Sequence, residues 1–149
     1  MAWVGIGVAL LIAFSLGSLS RNKTSDAQTQ NMQFTCADES RKYFADFMKK
    51  YGDPATNYST QNHWNTSIKK CFISIARGKF SPSTGDSQNG QLIIDVAEDD
   101  NYGQATFLNN AERPGQLYDC QVSHDGVSEM QPCSSLDEFQ KYVKLLMTK

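Results

Sequence analysis

The first 20 residues carry no charged side chain, and every residue from Ala2 to Phe14 is apolar or glycine. Leu16 and Leu19 extend that run through a Ser/Gly-rich end. A stretch of this kind cannot form a water-facing surface, so it divides the chain into a leader and a separate folded part. Its length matches the hydrophobic region of a secretory signal peptide, roughly 7–15 residues. Counted from Ala2 to Ser20, it also nears the roughly 20 residues that span a bilayer. Ser18 and Ser20 stand at the −3 and −1 positions for cleavage before Arg21. Residues 1–20 are therefore read as a signal peptide or as an N-terminal transmembrane anchor. No cysteine follows the apolar run until Cys36, which argues against a lipoprotein. Arg21 and Lys23 lie just after the run with no Lys or Arg before it, a bias that would hold the domain in the cytoplasm.

The cysteines decide between these directions. There are four, Cys36, Cys71, Cys120 and Cys133. An even count behind an export-like segment reads as a disulfide framework with three connectivities. None forms a Cys-x-x-Cys pair, and only two histidines accompany them, so neither a redox motif nor a zinc cluster is indicated. Cys36 opens a helix, Cys71 lies in the first apolar strand, Cys120 sits in the last strand and Cys133 precedes the final helix. Local structure thus favours Cys36–Cys71 and Cys120–Cys133, each joining a helix start to a strand across a modest loop. The competing reading is four buried thiols in a reducing compartment.

Behind the leader, residues 21–33 (RNKTSDAQTQNMQ) have little apolar content and read as a polar linker. Residues 34–149 then form one domain of ordinary size. The net charge is −2, with acidic and basic residues interspersed. No concentrated basic face exists for nucleic acid.

A first helix is marked by Thr35 as N-cap, by Asp38 and Glu39 in its first turn, and by Gly52 and Pro54 as stops. Cys36, Ser40, Tyr43, Phe44, Phe47, Met48 and Tyr51 fall on one face at helical spacing. Residues 52–65 read as a polar loop. Strands are expected over Ser67–Ala76, Gln91–Ala97, Tyr102–Leu108 and Gln116–Ser123, with Gly78–Gly90, Glu98–Asn101, Arg113-Pro114-Gly115 and Asp125-Gly126 as turns. The last strand groups Tyr118, Cys120 and Val122. Ser135-Leu136-Asp137-Glu138 is a capping box, and Leu136, Phe139, Val143, Leu146 and Met147 form the stripe of a final helix. The expected fold is α+β: a four-stranded antiparallel meander flanked by an N-terminal and a C-terminal helix, both covering one face, with two disulfides.

Candidate sites are few. His63 and His124 lie in loops without a metal motif. Ser67-x-x-Lys70 matches the Ser-x-x-Lys pattern of penicillin-binding enzymes, but the companion motifs are missing and Ser67 falls at a strand start. Glu98-Asp99-Asp100-Asn101 lacks the glycine and terminal carboxylate of a calcium loop. Asn22, Asn57 and Asn65 begin glycosylation sequons, which chance explains in a Ser/Thr-rich chain. Tyr58, His63 and Trp64 form an aromatic and polar cluster on the expected loop, the first choice for a binding surface. No catalytic residue, metal site or cofactor is assigned.

Asn62-His63-Trp64-Asn65, Lys69-Lys70-Cys71-Phe72, Asp95-Val96, Tyr102-Gly103, Cys120 and Cys133-Ser134 with Glu138-Phe139 together resemble a family of small exported bacterial proteins of undefined function. The resemblance covers most of Phe34 to Leu146. It implies export and a role for the Asn62 segment in defining the fold, and it implies no activity.

The expectation is a periplasmic or extracellular domain, anchored if the leader is retained, that binds an envelope protein or ligand without catalysis. A small exported hydrolase or ligand-binding enzyme, with a site no motif reveals, is the alternative. A cytosol-facing anchored domain with free thiols is a third.

Overall fold

The computed structural model describes the backbone of residues 4–110, 112, 114–123 and 129–148, with side chains described from Ser25 onward. The leader assignment to residues 1–20, the Asn22 sequon, His124 and the Asp125-Gly126 break lie outside the described side chains or residues. The elements are α1 (Val4–Tyr51), β1 (Asn57–Asn65), β2 (Lys70–Ser81), β3 (Asp86–Asp95), β4 (Asp100–Asn109), β5 (Gln116–Ser123), β6 (Met130–Pro132) and α2 (Leu136–Met147). All six strands are antiparallel and lie in sequence order. The fold is α+β and its sheet is a meander, but with six strands instead of four.

The two added strands lack the signal that reveals the others. β1 reads NYSTQNHWN and is mostly exposed, so it shows no apolar alternation and was expected to be loop. Backbone pairing with β2 from Asn57↔Gly78 to Asn65↔Lys70 makes it a strand. β6 is only three residues long. The Gly78–Gly90 turn region is also mostly strand, because Gly78 pairs with Asn89 and Arg77 with Gly90. The turn itself is only the four residues between Ser81 and Asp86, closed by the Gly85 N–H donating to the Ser81 carbonyl at 2.9 Å. Three hairpins share this loop length, each ending in a residue of positive φ: Lys69, Gly85 and Asp99.

α1 does not begin at Thr35. Its helix is continuous through residues 21–33, the expected linker, and the Thr35 hydroxyl donates back to the Asn31 carbonyl at 3.1 Å instead of capping a start. No Gly or Pro interrupts the chain from Arg21 to Tyr51. Once the packed part is nucleated, extending the helix through such a segment costs little.

The helices cover opposite faces of the sheet, not one. The cause is β2, in which Cys71 to Ile75 are all buried. Successive side chains of a strand point to opposite faces, so Cys71, Ile73 and Ile75 face one way and Phe72 and Ser74 the other. Ile73, Ile75 and Ile94 pack beneath Tyr43, Phe44 and Phe47 of α1. Phe72, Ile93, Ala105, Cys120 and Val122 pack against Phe139, Val143 and Leu146 of α2. Gly103 keeps the approach of α2 close on that second face, since a Cβ there would lie 3.3 Å from the Phe139 ring.

Two register shifts reassign single aromatic residues. One, between Ile93 and Ile94, lets Tyr102 bury edge-on to Phe72 at a centroid distance of 5.0 Å. The other, between Thr106 and Phe107, leaves Tyr118 unpaired and 76% exposed. The expected grouping of Tyr118 with Cys120 and Val122 fails for that reason.

α2 starts as expected. Ser135 accepts a bond from the Glu138 N–H at 3.2 Å, while the Glu138 carboxylate accepts from the N–H and hydroxyl of Ser134, one residue before the cap. Its far end is held by Asn65, buried in the β1–β2 hairpin. The Asn65 amide donates to the Leu146 carbonyl at 2.9 Å, and its side-chain oxygen accepts from the N–H of Ser67 and of Ile68.

Both favoured disulfides form. Cys36–Cys71 ties α1 to β2 and Cys120–Cys133 ties β5 to the approach of α2, with Cα separations of 5.4 and 5.3 Å. Disulfides form and persist chiefly in oxidising environments, and these two point toward one. Among the described residues, no helix is long and apolar enough to cross a membrane. The loops closed span 35 and 13 residues, for which chain entropy gives stabilisations of about 4 and about 3 kcal/mol. Replacing Cys36 and Cys71 together by Ala should therefore lower the urea midpoint more than replacing Cys120 and Cys133.

Candidate functional site

The structure separates the three residues expected to share a binding surface. Tyr58, His63 and Trp64 lie on β1, where Trp64 stands opposite Cys71 and His63 opposite Phe72. Tyr58 and Trp64 therefore project to the α1 side of the sheet, and His63 to the α2 side. Tyr58 packs edge-on against Phe47 at 6.3 Å, and its hydroxyl accepts from the Asp53 N–H at 3.2 Å. Trp64 is half-buried beside a cleft of about 400 Å³ lined by Gln28, Thr29, Met32 and Lys69. His63 is half-buried, with its Nε2 enclosed and no hydrogen-bond partner among the described residues. The three do not converge, because a strand alternates where a loop need not.

What β1 does present is an open edge. Among the described residues, β1 ends the strand order and pairs only with β2. Two bonds reveal which of its backbone groups face outward. The Cys71 carbonyl accepts from the Val96 N–H at 2.9 Å, so Cys71 directs its backbone toward β3. Its partner Trp64 correspondingly turns its N–H away from β2 and donates it to the Gln33 side chain at 2.8 Å. Backbone direction alternates along a strand, so Tyr58, Thr60 and Asn62 direct their N–H and C=O groups outward as well. These main-chain groups have no partner among the described residues.

The open stretch is bounded on both sides. At the Trp64 end Gln33 takes the N–H of Trp64 and donates its amide to the Asn62 side chain at 3.2 Å. At the other end the Thr56 N–H is already used, donating to the Asp53 carbonyl at 2.9 Å. Thr60 is at the centre, exposed, with Ser59, Gln61 and Asn62 exposed around it. Neither Gln33 nor Thr60 stands out in the sequence, and Asn62 enters there only through the resemblance, as part of a segment that defines the fold. Their roles follow from backbone direction, which composition does not encode.

Beside the Tyr58 end lies a polar cleft of about 250 Å³, lined by Tyr51, Asp53, Thr56, Arg77, Lys79 and Gln88. Its carboxylate is committed to structure. Asp53 accepts from Lys79 at 2.9 Å, the Ala55 N–H at 2.9 Å and the Thr56 hydroxyl at 3.1 Å, which together bring its pKa down to about 2. A carboxylate stabilised in this way as its anion is a weaker general base than a free one.

The other polar cluster is likewise structural. Lys70 bonds Asp95 at 2.6 Å and also Glu98, and its ammonium lies 5.2 Å from the Tyr102 ring centroid. Burial opposes its charge, but the hydrogen bonds to Asp95 and Glu98 prevail and carry its pKa above the usual lysine range. The Lys70 of the Ser67-x-x-Lys70 pattern is thus engaged by carboxylates, while Ser67 sits in the β1–β2 turn. In the acidic turn, Asp99 accepts a hydrogen bond from the Tyr43 hydroxyl at 2.5 Å. Among the described residues no group of His, Cys, Asp and Glu is placed to hold a metal ion.

Compared with known proteins, the chain matches no family model, no curated protein and no solved structure.

Asp95 is 1% exposed whereas Glu98 is 57% exposed. Lys70→Met should therefore cost about 3–5 kcal/mol by leaving Asp95 buried and unpaired. Glu98→Gln should cost less than about 1 kcal/mol. Urea denaturation of the two variants measures the difference.

Proposed function

We propose that this chain is an exported, disulfide-bonded binding domain of the cell envelope that acts by taking up an extended strand along the free edge of β1. The carrying observation is the outward backbone of Tyr58, Thr60 and Asn62, which has no partner among the described residues. Exposed strand edges pair readily with other chains, and proteins that must avoid this place Lys, Pro or bulges there. β1 has no Lys, Arg, Asp, Glu or Pro, and its register with β2 is unbroken. Its polar side chains keep the edge soluble while leaving its donors and acceptors available. Strand addition supplies affinity through main-chain bonds and selectivity through alternate side chains. The two disulfides support an oxidising location, and the apolar leader supplies a route to it.

The test is photo-crosslinking in the native host. Benzoylphenylalanine in place of Ser59 should give a discrete adduct, and the same group in place of Ser83 at the β2–β3 turn should not. Thr60→Pro should abolish the adduct without unfolding the domain, since the Thr60 N–H has no bond to lose and edge positions tolerate proline. No adduct from position 59, or one that survives Thr60→Pro, removes this reading.

A further inference from the structure

We infer that the strand received by β1 is β1 of a second copy, paired antiparallel about a two-fold axis at Thr60, which rests on the strand-addition reading above. The free window carries this assignment because it is symmetric. Gln33 occupies the edge at Trp64, and the Asp53 turn uses the Thr56 N–H. What remains between them is Tyr58, Thr60 and Asn62.

In an antiparallel ladder, hydrogen-bonded residues exchange both N–H···O=C bonds with the residue opposite. With the axis at Thr60, Thr60 meets its own copy and Tyr58 meets Asn62 in each direction. Every free donor in the window then finds a free carbonyl, and none falls on a position already taken by Gln33 or Asp53. A register displaced in either direction would set open groups against occupied ones.

The side chains agree with that axis. A strand pairing with itself must face its own charges, and like charges directly opposite are unfavourable. Asn57–Asn65 has no Lys, Arg, Asp or Glu to repel its copy. The pairing places Thr60 beside Thr60 on the α1 side and Ser59 beside Gln61 on the α2 side, all exposed in the single chain. It would join two six-stranded sheets into one continuous sheet. β6, the opposite edge, spans three residues and among the described residues offers no comparable window. This is an isologous contact, the commonest route to a closed dimer.

The experiment is sedimentation equilibrium and light scattering on the protein purified from its host over a range of concentrations. The expected mass is twice that of the chain under denaturing conditions, with little dependence on salt because no charges pair. Thr60→Lys sets two ammonium groups face to face at the axis and should weaken association by roughly tenfold or more. Thr60→Pro should make the protein monomeric, and Ser83→Lys should leave the dimer intact. Amide exchange supplies a second measurement, in which the N–H groups of Tyr58, Thr60 and Asn62 are protected in the dimer and released in Thr60→Lys. A monomer at every concentration overturns self-pairing, as does a dimer that persists in both Thr60 variants. A monomer whose Ser59 position still crosslinks to a different protein overturns self-pairing while the strand-addition reading survives. Absence of both dimer and adduct removes the two together.

Discussion

The two-sided burial of β2 is the constraint on which the rest of this structure depends. Five consecutive residues, Cys71 to Ile75, are withdrawn from water. One layer of helix could satisfy only alternate members of that run. α1 therefore covers Cys71, Ile73 and Ile75, and α2 covers Phe72 with the neighbouring Ile93 and Val122. Each covering element is then fastened. The Cys36–Cys71 bridge ties α1 to β2, and Cys120–Cys133 fixes the approach to α2. Asn65 ties the other end of α2 to the first hairpin by its bond to Leu146.

This arrangement also leaves the edge of β1 as the open part of the sheet. With both faces of the sheet committed to helices, the sheet itself leaves open its strand ends, hairpin turns and free edge. The charged side chains of the two polar clusters pair with one another, Lys70 with Asp95 and Glu98, and Lys79 with Asp53. β1 differs because its outward groups are backbone, and backbone donors cannot be neutralised by a neighbouring charge in the same way. They require another acceptor, and Gln33 shows what one looks like when it is supplied from within the chain.

Much of the fold was legible in the residues. The helix stripes were correct because a period of 3.6 with clear stops survives any tertiary context, although Tyr51 at the end of the first stripe stays 58% exposed. The disulfide pairing is as expected, although Cys36 lies within α1 and not at a helix start. The placement of the helices was misjudged, although a signal existed, since Cys71-Phe72-Ile73 and Leu92-Ile93-Ile94 are unbroken apolar runs. Such runs mark strands buried on both faces, and reading them only as alternating hid the second layer. β1 offered no comparable signal. A polar segment becomes a strand only when a neighbouring strand lends it backbone partners.

By itself, then, the amino-acid order determined the α+β class, the meander, the bridges and the apolar stripe of each helix. These are properties of local spacing, and local spacing is carried by neighbours in the chain. Only the tertiary structure decided that α1 runs unbroken through the polar stretch before it, that Tyr58, His63 and Trp64 part to opposite faces, and that Thr60 stands at the middle of an open edge. Those outcomes turn on which way a peptide group points and on what lies across from it. Both are set by contacts between segments far apart in sequence, and no single segment contains them.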